Sequence, residues 1–306
     1  MRPLHAWLLI PALVLASAAQ AQTSSAPPRH PIEGVWSKVA GVVDGEVVVN
    51  QPGYRMFLGG YYATVRNEGL TPRTAAPATG ATAAQVREAL QRFTGQAGRY
   101  EITSMQTFTE RAEVAFSPAA MEPGRYVVQS YRIVGDTLWT TNILTQAGPV
   151  AAPQVGKYIR QRNGGATPVD GVWRLVEGRT PSGGVVENQP GYRLFVDGYY
   201  SLVRVNGTKP RPALPDASGT AEQLMAAWGP FTSQAGTFEV SGSTITERAL
   251  VAKGPAVAGP GNFSTRTYRI RGDTLWTTQT ANQAGPIKDA TTFKYVRARG
   301  PRPPTD

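Results

Sequence analysis

Two long stretches of this chain repeat each other, and this duplication limits the possible folds more than any other feature. The matching segments are spread over about 130 residues, and the offset between the copies stays at 137 or 138 positions. Because only single-residue length changes separate the copies, each copy must fold into the same kind of domain. The matching segments are 34–36 with 171–173, 50–55 with 188–193, 60–62 with 198–200, 96–98 with 234–236, 109–112 with 246–249, 131–133 with 268–270, 135–141 with 272–278, 146–149 with 283–286 and 157–158 with 294–295.

The N-terminal stretch has the pattern of an export signal. A short basic start precedes an apolar run over 6–16, and Ala19-Gln20-Ala21 gives the small-x-small pattern of a cleavage site. We therefore predict a signal peptide over 1–21 that is cleaved after Ala21, and a periplasmic or secreted protein. A retained N-terminal anchor is the alternative. No later segment approaches the ~20 apolar residues that a membrane-spanning helix needs, so no transmembrane segment is expected in the mature chain.

The repeats and the residues between them divide the rest of the chain. The linker is rich in Gly and ends in Pro168, a composition typical of a domain boundary. The predicted parts are a Pro-rich leader (22–31), a first barrel (32–162), a linker (163–168), a second barrel (169–299) and a disordered tail (300–306).

Short β-rich runs separated by turn residues predict eight strands and one helix in each copy. Asp197-Gly198, and Gly59-Gly60 in the first copy, are typical of two-residue hairpins. Thr82-x-x-Gln85 and its counterpart Thr220-x-x-Gln223 fit a helix capping box, and that helix is expected to pack over a barrel end. In the first copy the strands are predicted near 34–40, 53–58, 61–67, 97–103, 106–115, 126–134, 137–144 and 155–161.

Eight sequential antiparallel strands in about 130 residues favour an all-β fold of two tandem up-and-down barrels, because closure removes the exposed sheet edges. A barrel of this size holds side chains or one small ligand. A β-sandwich is the structural alternative.

Missing residue types restrict the possible chemistry. The chain has no Cys, and its only histidines, His5 and His30, lie outside both repeats. This excludes Ser-His-Asp and Cys-His catalysis, thiolate or imidazole zinc sites and the common haem ligands within the repeats, so no metal or cofactor is expected. The net charge of +10 favours anionic partners such as envelope surfaces, whereas the scattered positions of Lys and Arg argue against nucleic acid.

Gly-x-Trp opens each first strand, and an Arg closes each last strand. In these residues both copies resemble bacterial lipocalin-like domains. The resemblance implies a barrel with a ligand-sized mouth, in which the Trp plugs the floor and the Arg lies across the indole. Cation–π contacts of this kind contribute ~0.5–2 kcal/mol. The residues to which the resemblance gives this structural role are Trp36 with Arg160 and Trp173 with Arg297.

One carboxylate in each copy stands out as a candidate for function. Side chains alternate along a strand, so Glu110 shares a face with Phe108 and Ala112, and Glu247 has equivalent neighbours. A carboxylate on an inward, apolar face needs a partner. The expected ligand-binding groups are Arg66, Glu110 and Tyr131 in the first copy and Arg204, Glu247 and Tyr268 in the second. A purely structural network that fixes the barrel register is the alternative.

Three functional hypotheses follow from these residues. The first is an exported binding protein for a small hydrophobic or amphipathic ligand held inside a barrel. The second is an enzyme that uses Glu, Tyr and Arg for acid–base chemistry. The third is a basic scaffold that docks on an anionic envelope surface without a ligand.

Overall fold

The computed structural model describes residues 29–43, 46–48, 52–68, 73–77, 79–186, 188–207 and 209–300. The predicted signal peptide, residues 22–28 of the predicted leader and residues 301–306 of the predicted tail lie outside the described residues.

Strands dominate both repeats. The first repeat contains β1 (Gly34–Val43), β2 (Glu46–Val48), β3 (Gly53–Leu58), β4 (Tyr61–Asn67), α1 (Ala83–Leu90), β5 (Phe93–Ser104), β6 (Thr107–Ala115), a 3₁₀ helix (Pro118–Met121), β7 (Val127–Val134), β8 (Thr137–Thr145), β9 (Gly148–Pro149) and β10 (Val155–Gln161). The second contains β11 (Gly171–Arg179), β12 (Val185–Val186), β13 (Asn188–Val196), β14 (Tyr199–Asn206), α2 (Ala221–Trp228), β15 (Phe231–Ser241), β16 (Thr244–Ala252), a 3₁₀ helix (Pro255–Ala258), β17 (Ser264–Arg271), β18 (Thr274–Asn282), β19 (Gly285–Pro286) and β20 (Thr292–Arg297).

Each repeat closes into an antiparallel barrel of eight strands. In the first, the order is β1-β3-β4-β5-β6-β7-β8-β10, and β10 pairs with both β8 and β1. In the second, β20 joins β18 to β11 in the same way. The prediction of two tandem up-and-down barrels is confirmed, and the sandwich alternative is wrong because neighbours along the chain pair in sequence until the sheet closes.

β5 is the strand whose bounds differ most from the prediction in the first repeat. β5 starts at Phe93, four residues before the predicted start at 97. The sequence did not show this start because Gly95 and Gly98 lie near it, and glycine in a strand usually indicates a turn or a bulge. Here Gly98 lies at a bulge against β6, where a Cβ atom would overlap the carbonyl oxygen of Arg111.

The predicted turns and helix caps are present. Asp197 and Gly198 both have positive φ angles (51° and 78°), and Gly59 and Gly60 have the same conformation (57° and 81°). This is the geometry of the two-residue turn that matches strand twist. Both capping boxes form, with Thr82 and Thr220 as the N-cap residues.

The helices do not pack over a barrel end as expected. α1 and α2 pack against each other, and most of their buried residues belong to one apolar cluster formed by both repeats. The reason is that apolar side chains on the outside of β3, β4, β13 and β14 also need to be buried, and the two barrels bury them against each other together with the helices.

Contacts between the barrels are reciprocal. Tyr54 packs on Tyr199, and their counterparts Tyr192 and Tyr61 pack on each other, with both pairs of ring centroids 5.6 Å apart. Such exchange of equivalent contacts is the signature of a two-fold interface. Two buried arginines bridge it. Arg73 donates to the carbonyls of Ala252 and Lys253, and Arg211 donates to those of Ala115 and Phe116.

Candidate functional site

A tryptophan and an arginine close the floor of each barrel. Trp36 is fully buried and donates from Nε1 to the carbonyl of Ile32 at 2.7 Å, while the Arg160 guanidinium carbon lies 4.0 Å from the indole centroid. In the second barrel Arg297 lies 4.1 Å from the Trp173 indole. The arrangement implied by the resemblance is therefore present at both floors, where hydrogen bonds from each arginine to backbone carbonyls hold it in place.

Above the first floor, Glu110 lies at the centre of a buried polar network. Its two oxygens accept hydrogen bonds from Arg55 at 2.5 Å and from Gln129 at 2.7 Å. Arg55 also donates to Gln129 at 2.8 Å and to Thr140 at 3.1 Å. These side chains come from β3, β6, β7 and β8, so the network ties strands across the barrel interior.

The second barrel has a different network around the equivalent carboxylate. Arg266 replaces Gln129, so Glu247 contacts two guanidinium groups, Arg193 at 2.7 Å and Arg266 at 3.0 Å. Arg266 also donates to Gln279 at 3.0 Å. The network in the first barrel is electrically balanced, whereas this one carries one positive charge more than negative.

This difference in charge moves the two carboxyl pKa values in opposite directions. Burial raises the pKa of Glu110 above its usual value, and the Arg55 guanidinium offsets only part of that effect. Burial acts in the same sense on Glu247, but the guanidinium groups of Arg193 and Arg266 outweigh it and lower the pKa of that carboxyl. Glu247 is thus held as a carboxylate, and Glu110 takes up a proton more readily.

The structure places the predicted site residues in three environments. Glu110 and Glu247 are buried inside the barrels, as the alternation predicted. Tyr131 is only partly buried and lies against Phe108, with ring centroids 5.6 Å apart. Its counterpart Tyr268 packs on the equivalent apolar cluster. The partners of the two glutamates are therefore the arginines and Gln129 described above, and neither tyrosine forms a hydrogen bond to them among the described residues.

The predicted arginines line the barrel interiors beyond the glutamates. Arg66 forms an ion pair with Glu68, which also lies 3.5 Å from Lys38. Arg204 lies over the Phe293 ring at 4.2 Å. Neither arginine is an ion-pair partner of its barrel's glutamate among the described residues.

The first barrel contains a polar cavity of about 490 Å³. Lys38, Arg55 and Arg66 line it together with Glu68 and Glu110. Most of its other lining residues carry hydroxyl or amide groups. A volume of this size suits a small molecule, but the lining differs from the largely apolar one that the sequence analysis expected.

Among the described residues, three buried polar atoms in this lining have no hydrogen-bond partner: Arg55 Nε, Thr64 Oγ1 and Arg66 Nε. Arg66 Nε lies in the ion pair with Glu68, which leaves Arg55 Nε and Thr64 Oγ1 without any partner. Arg55 and Thr64 are directly opposite each other on β3 and β4. Unsatisfied buried polar groups are costly and are rare in folded proteins. Both side chains line the cavity, so an acceptor group bound there would give a partner to the guanidinium N–H and to the hydroxyl.

A phenol in the same cavity is surrounded by cations. Tyr158 is buried, and although burial acts to raise its pKa, Arg55, Arg66 and Lys38 outweigh that effect and lower the pKa. The electrostatic potential at this end of the cavity therefore favours negative charge.

Larger apolar side chains occupy the equivalent positions of the second barrel. Leu175, Leu202 and Phe293 stand where the first barrel has Lys38, Thr64 and Gly156. Leu175 and Leu202 are buried, and Phe293 packs on the apolar core of that barrel. The polar space of the first barrel is thus filled by side chains in the second.

A second, smaller cavity is present in both barrels. In the first it measures about 360 Å³ and shares Gln96, Glu110 and Val127 with the polar cavity. In the second it measures about 300 Å³, and Gln234, Glu247 and Ser264 line it. Alanines of the neighbouring strand and 3₁₀ helix contribute an apolar part of the lining in both.

Sequence reasoning missed the arginine at the centre of each network. Arg55 and Arg193 end a six-residue repeated segment, so their recurrence was visible. Their facing was not, because both faces of β3 and β13 are buried, one in the barrel and one in the contact between barrels.

Fold and site together define a protein of two fused antiparallel barrels, one of which holds a polar cavity beside a buried Arg–Glu pair. The described residues contain no cluster of three or more side chains able to ligate a metal ion. Among the same residues, no helix is long and apolar enough to cross a membrane.

No protein-family model and no curated protein sequence matches the chain. Among solved structures, it is similar to a protein of unknown function of the DUF3598 family from Nostoc punctiforme PCC 73102. The sequences are 9% identical, the match covers 87% of this chain and 96% of the other, and the TM-score is 0.16.

Proposed function

We propose that this chain is an exported binding protein whose first barrel holds a small amphipathic molecule with an anionic end. The observation that carries the proposal is a pair of buried donors in the lining of the polar cavity, Arg55 Nε and Thr64 Oγ1, which have no partner in the part of the chain that the structure describes. An anionic group there would satisfy both donors and would lie near Lys38 and Arg66.

The less polar end of such a molecule has a suitable place nearby. The second cavity of the same barrel meets the polar one at Glu110 and Val127, and Ala112, Ala119 and Ala120 line it. A purely hydrophobic ligand, which the sequence also allowed, suits the polar cavity poorly because it would bury charged groups without replacing their hydrogen bonds with water.

Binding of an anionic amphiphile is testable with a matched pair of probes. We expect octanesulfonate to bind at one site per chain and octanol, which has the same alkyl chain and no charge, to bind at least about tenfold more weakly, since hydrogen bonds to charged groups contribute roughly 1.5–3 kcal/mol. Isothermal titration calorimetry measures both affinities and the stoichiometry. Equal affinity for the two probes, or no binding of either, would refute the proposal.

An acid–base enzyme is the second candidate, and the observation that favours it is the Tyr158 phenol between three cations at the cavity wall. A tyrosine with a lowered pKa exchanges a proton with a bound substrate more readily than an ordinary phenol does. Mass spectrometry on the protein incubated with extracts of its source separates the two candidates. Retention of an unchanged small molecule supports binding, whereas a new product that disappears in Tyr158→Phe supports catalysis.

Export is part of the proposal and rests on residues 1–21. The expected result is a mature chain that begins at Gln22, because cleavage follows the small-x-small pattern. N-terminal sequencing of the protein recovered from the periplasm or the medium checks this. A chain that starts at Met1 and stays with the membrane fraction would indicate a retained anchor instead.

A further inference from the structure

The outer wall of each barrel carries the same row of three side chains. In the first barrel Arg132 on β7, Trp139 on β8 and Lys157 on β10 are direct cross-strand neighbours. Their inner neighbours settle the direction, because Leu138 and Tyr158 are buried inside the barrel. Side chains alternate along strands, so the three intervening residues point outward.

The second barrel repeats this row with Arg269, Trp276 and Lys294, again as direct neighbours on three paired strands. Each arginine covers the face of its tryptophan, at 4.1 Å from the indole centroid in the first barrel and 4.3 Å in the second. None of the four cations in the two rows forms an ion pair among the described residues.

Acidic side chains are missing from the outer faces of these strands. The other outward positions beside the two rows carry Ser, Thr, Val, Ile or a further cation, and they are Ser130, Val134, Thr137, Thr141, Val155 and Ile159 in the first barrel and Thr267, Arg271, Thr274, Thr278, Thr292 and Val296 in the second. The acidic residues at the borders of the rows are paired with arginines. Asp136 pairs with Arg162, and Asp273 pairs with Arg299. Glu177, which lies opposite Lys294 on the neighbouring strand, pairs with Arg179. The rows therefore lie on two basic faces with an aromatic centre.

We infer that these two faces dock the protein on an anionic membrane surface. Lys and Arg near a negatively charged leaflet are attracted by its surface potential, and Trp favours the interface because it combines a large apolar ring with a polar N–H. The two rows supply both features without a hydrophobic insertion. This inference is independent of the cavity, because the rows point away from the barrel interior.

The test uses the full chain and vesicles of two compositions, phosphatidylcholine alone and phosphatidylcholine with about one-third phosphatidylglycerol. We expect the protein to sediment with the anionic vesicles at low salt, to be released as ionic strength rises above a few tenths molar, and to stay in solution with the neutral vesicles. Failure to sediment with the anionic vesicles would overturn the inference.

Two matched variants locate the docking faces. The first removes the four cations of the rows (Arg132→Gln, Lys157→Gln, Arg269→Gln and Lys294→Gln). The second removes four exposed cations elsewhere (Arg111→Gln, Lys209→Gln, Arg248→Gln and Lys288→Gln), so the net charge of the two variants is the same. Thermal unfolding shows that each variant is folded before it is compared.

The row variant should lose at least about tenfold in vesicle partitioning, and the control variant should lose clearly less, since each Lys or Arg close to the surface contributes about fivefold. Equal losses in the two variants would mean that net charge alone drives binding and would overturn the docking faces. Retention on a soluble polyanion such as dextran sulfate without vesicle binding would also overturn the membrane assignment.

Discussion

Replacing Glu247 by Gln should lower the free energy of unfolding by about 3–5 kcal/mol, which is the usual cost of leaving a buried charge without its partner. Glu247 is the only carboxylate that contacts Arg193 and Arg266 among the described residues, and all three side chains are buried. An amide can still accept one hydrogen bond, but it cannot balance two guanidinium charges inside the barrel. Urea-induced unfolding followed by tryptophan fluorescence measures the change.

Two related variants serve as controls for this effect. Arg266→Gln makes the second network resemble the first, in which Gln129 donates to the carboxylate, and should therefore cost far less than Glu247→Gln. Glu110→Gln leaves a single arginine, Arg55, without its carboxylate partner. Its cost in free energy of unfolding should lie between the costs of the other two variants. If Arg266→Gln proved as damaging as Glu247→Gln, packing rather than charge balance would govern the site.

The ion pairs of Glu247 with Arg193 and Arg266 also predict how the free energy of unfolding depends on pH. The pKa of Glu247 is lowered in the folded protein. The contribution of the ionised carboxylate to the free energy of unfolding is therefore fully present above the ordinary glutamate pKa of 4.5, and it is lost as pH falls through the folded-state pKa. The difference in unfolding free energy between the wild type and Glu247→Gln should therefore shrink below pH 4.5. A difference that stayed constant in acid would contradict the lowered pKa.

Much of the fold could be predicted because its signals are local and occur twice. The hairpin at Asp197-Gly198 requires left-handed backbone, and the capping boxes at Thr82 and Thr220 fix helix starts through their own hydrogen bonds. Such signals depend on a few neighbouring residues, and each of them occurs in both repeats, so the second copy supports the prediction made from the first. Closure of the barrel followed from the number and order of the strands.

The contact between the repeats could not be predicted, and it also hid the site. Where a barrel wall faces water, apolar and polar residues alternate and show which side is inside. β3 and β13 are covered on both faces, so Arg55 and Arg193 stand among buried neighbours on either side of the strand. The cavity depends further on single substitutions such as Thr64 against Leu202, whose effect on packing appears only once the strands are placed.

Thr64→Leu should abolish most binding of octanesulfonate without destabilising the protein. Leucine removes one of the two unpartnered donors and fills part of the cavity, and the second barrel already has leucine, Leu202, at the equivalent position beside its own buried arginine. Because hydrogen bonds to charged groups contribute roughly 1.5–3 kcal/mol, the affinity should fall about 10- to 100-fold. The free energy of unfolding should stay the same or rise, since an unsatisfied buried hydroxyl is replaced by apolar volume.

Leu202→Thr, the reciprocal change in the second barrel, is the matched control and should leave octanesulfonate binding intact. Binding in the wild type should also strengthen as the solution becomes more acidic, because the raised pKa of Glu110 lets that carboxyl take up a proton and leaves the Arg55 charge to the ligand. The sulfonate itself stays ionised, so this change reports on the protein. Affinity that is unaffected by Thr64→Leu, or that weakens with Leu202→Thr instead, would place the ligand outside the first barrel.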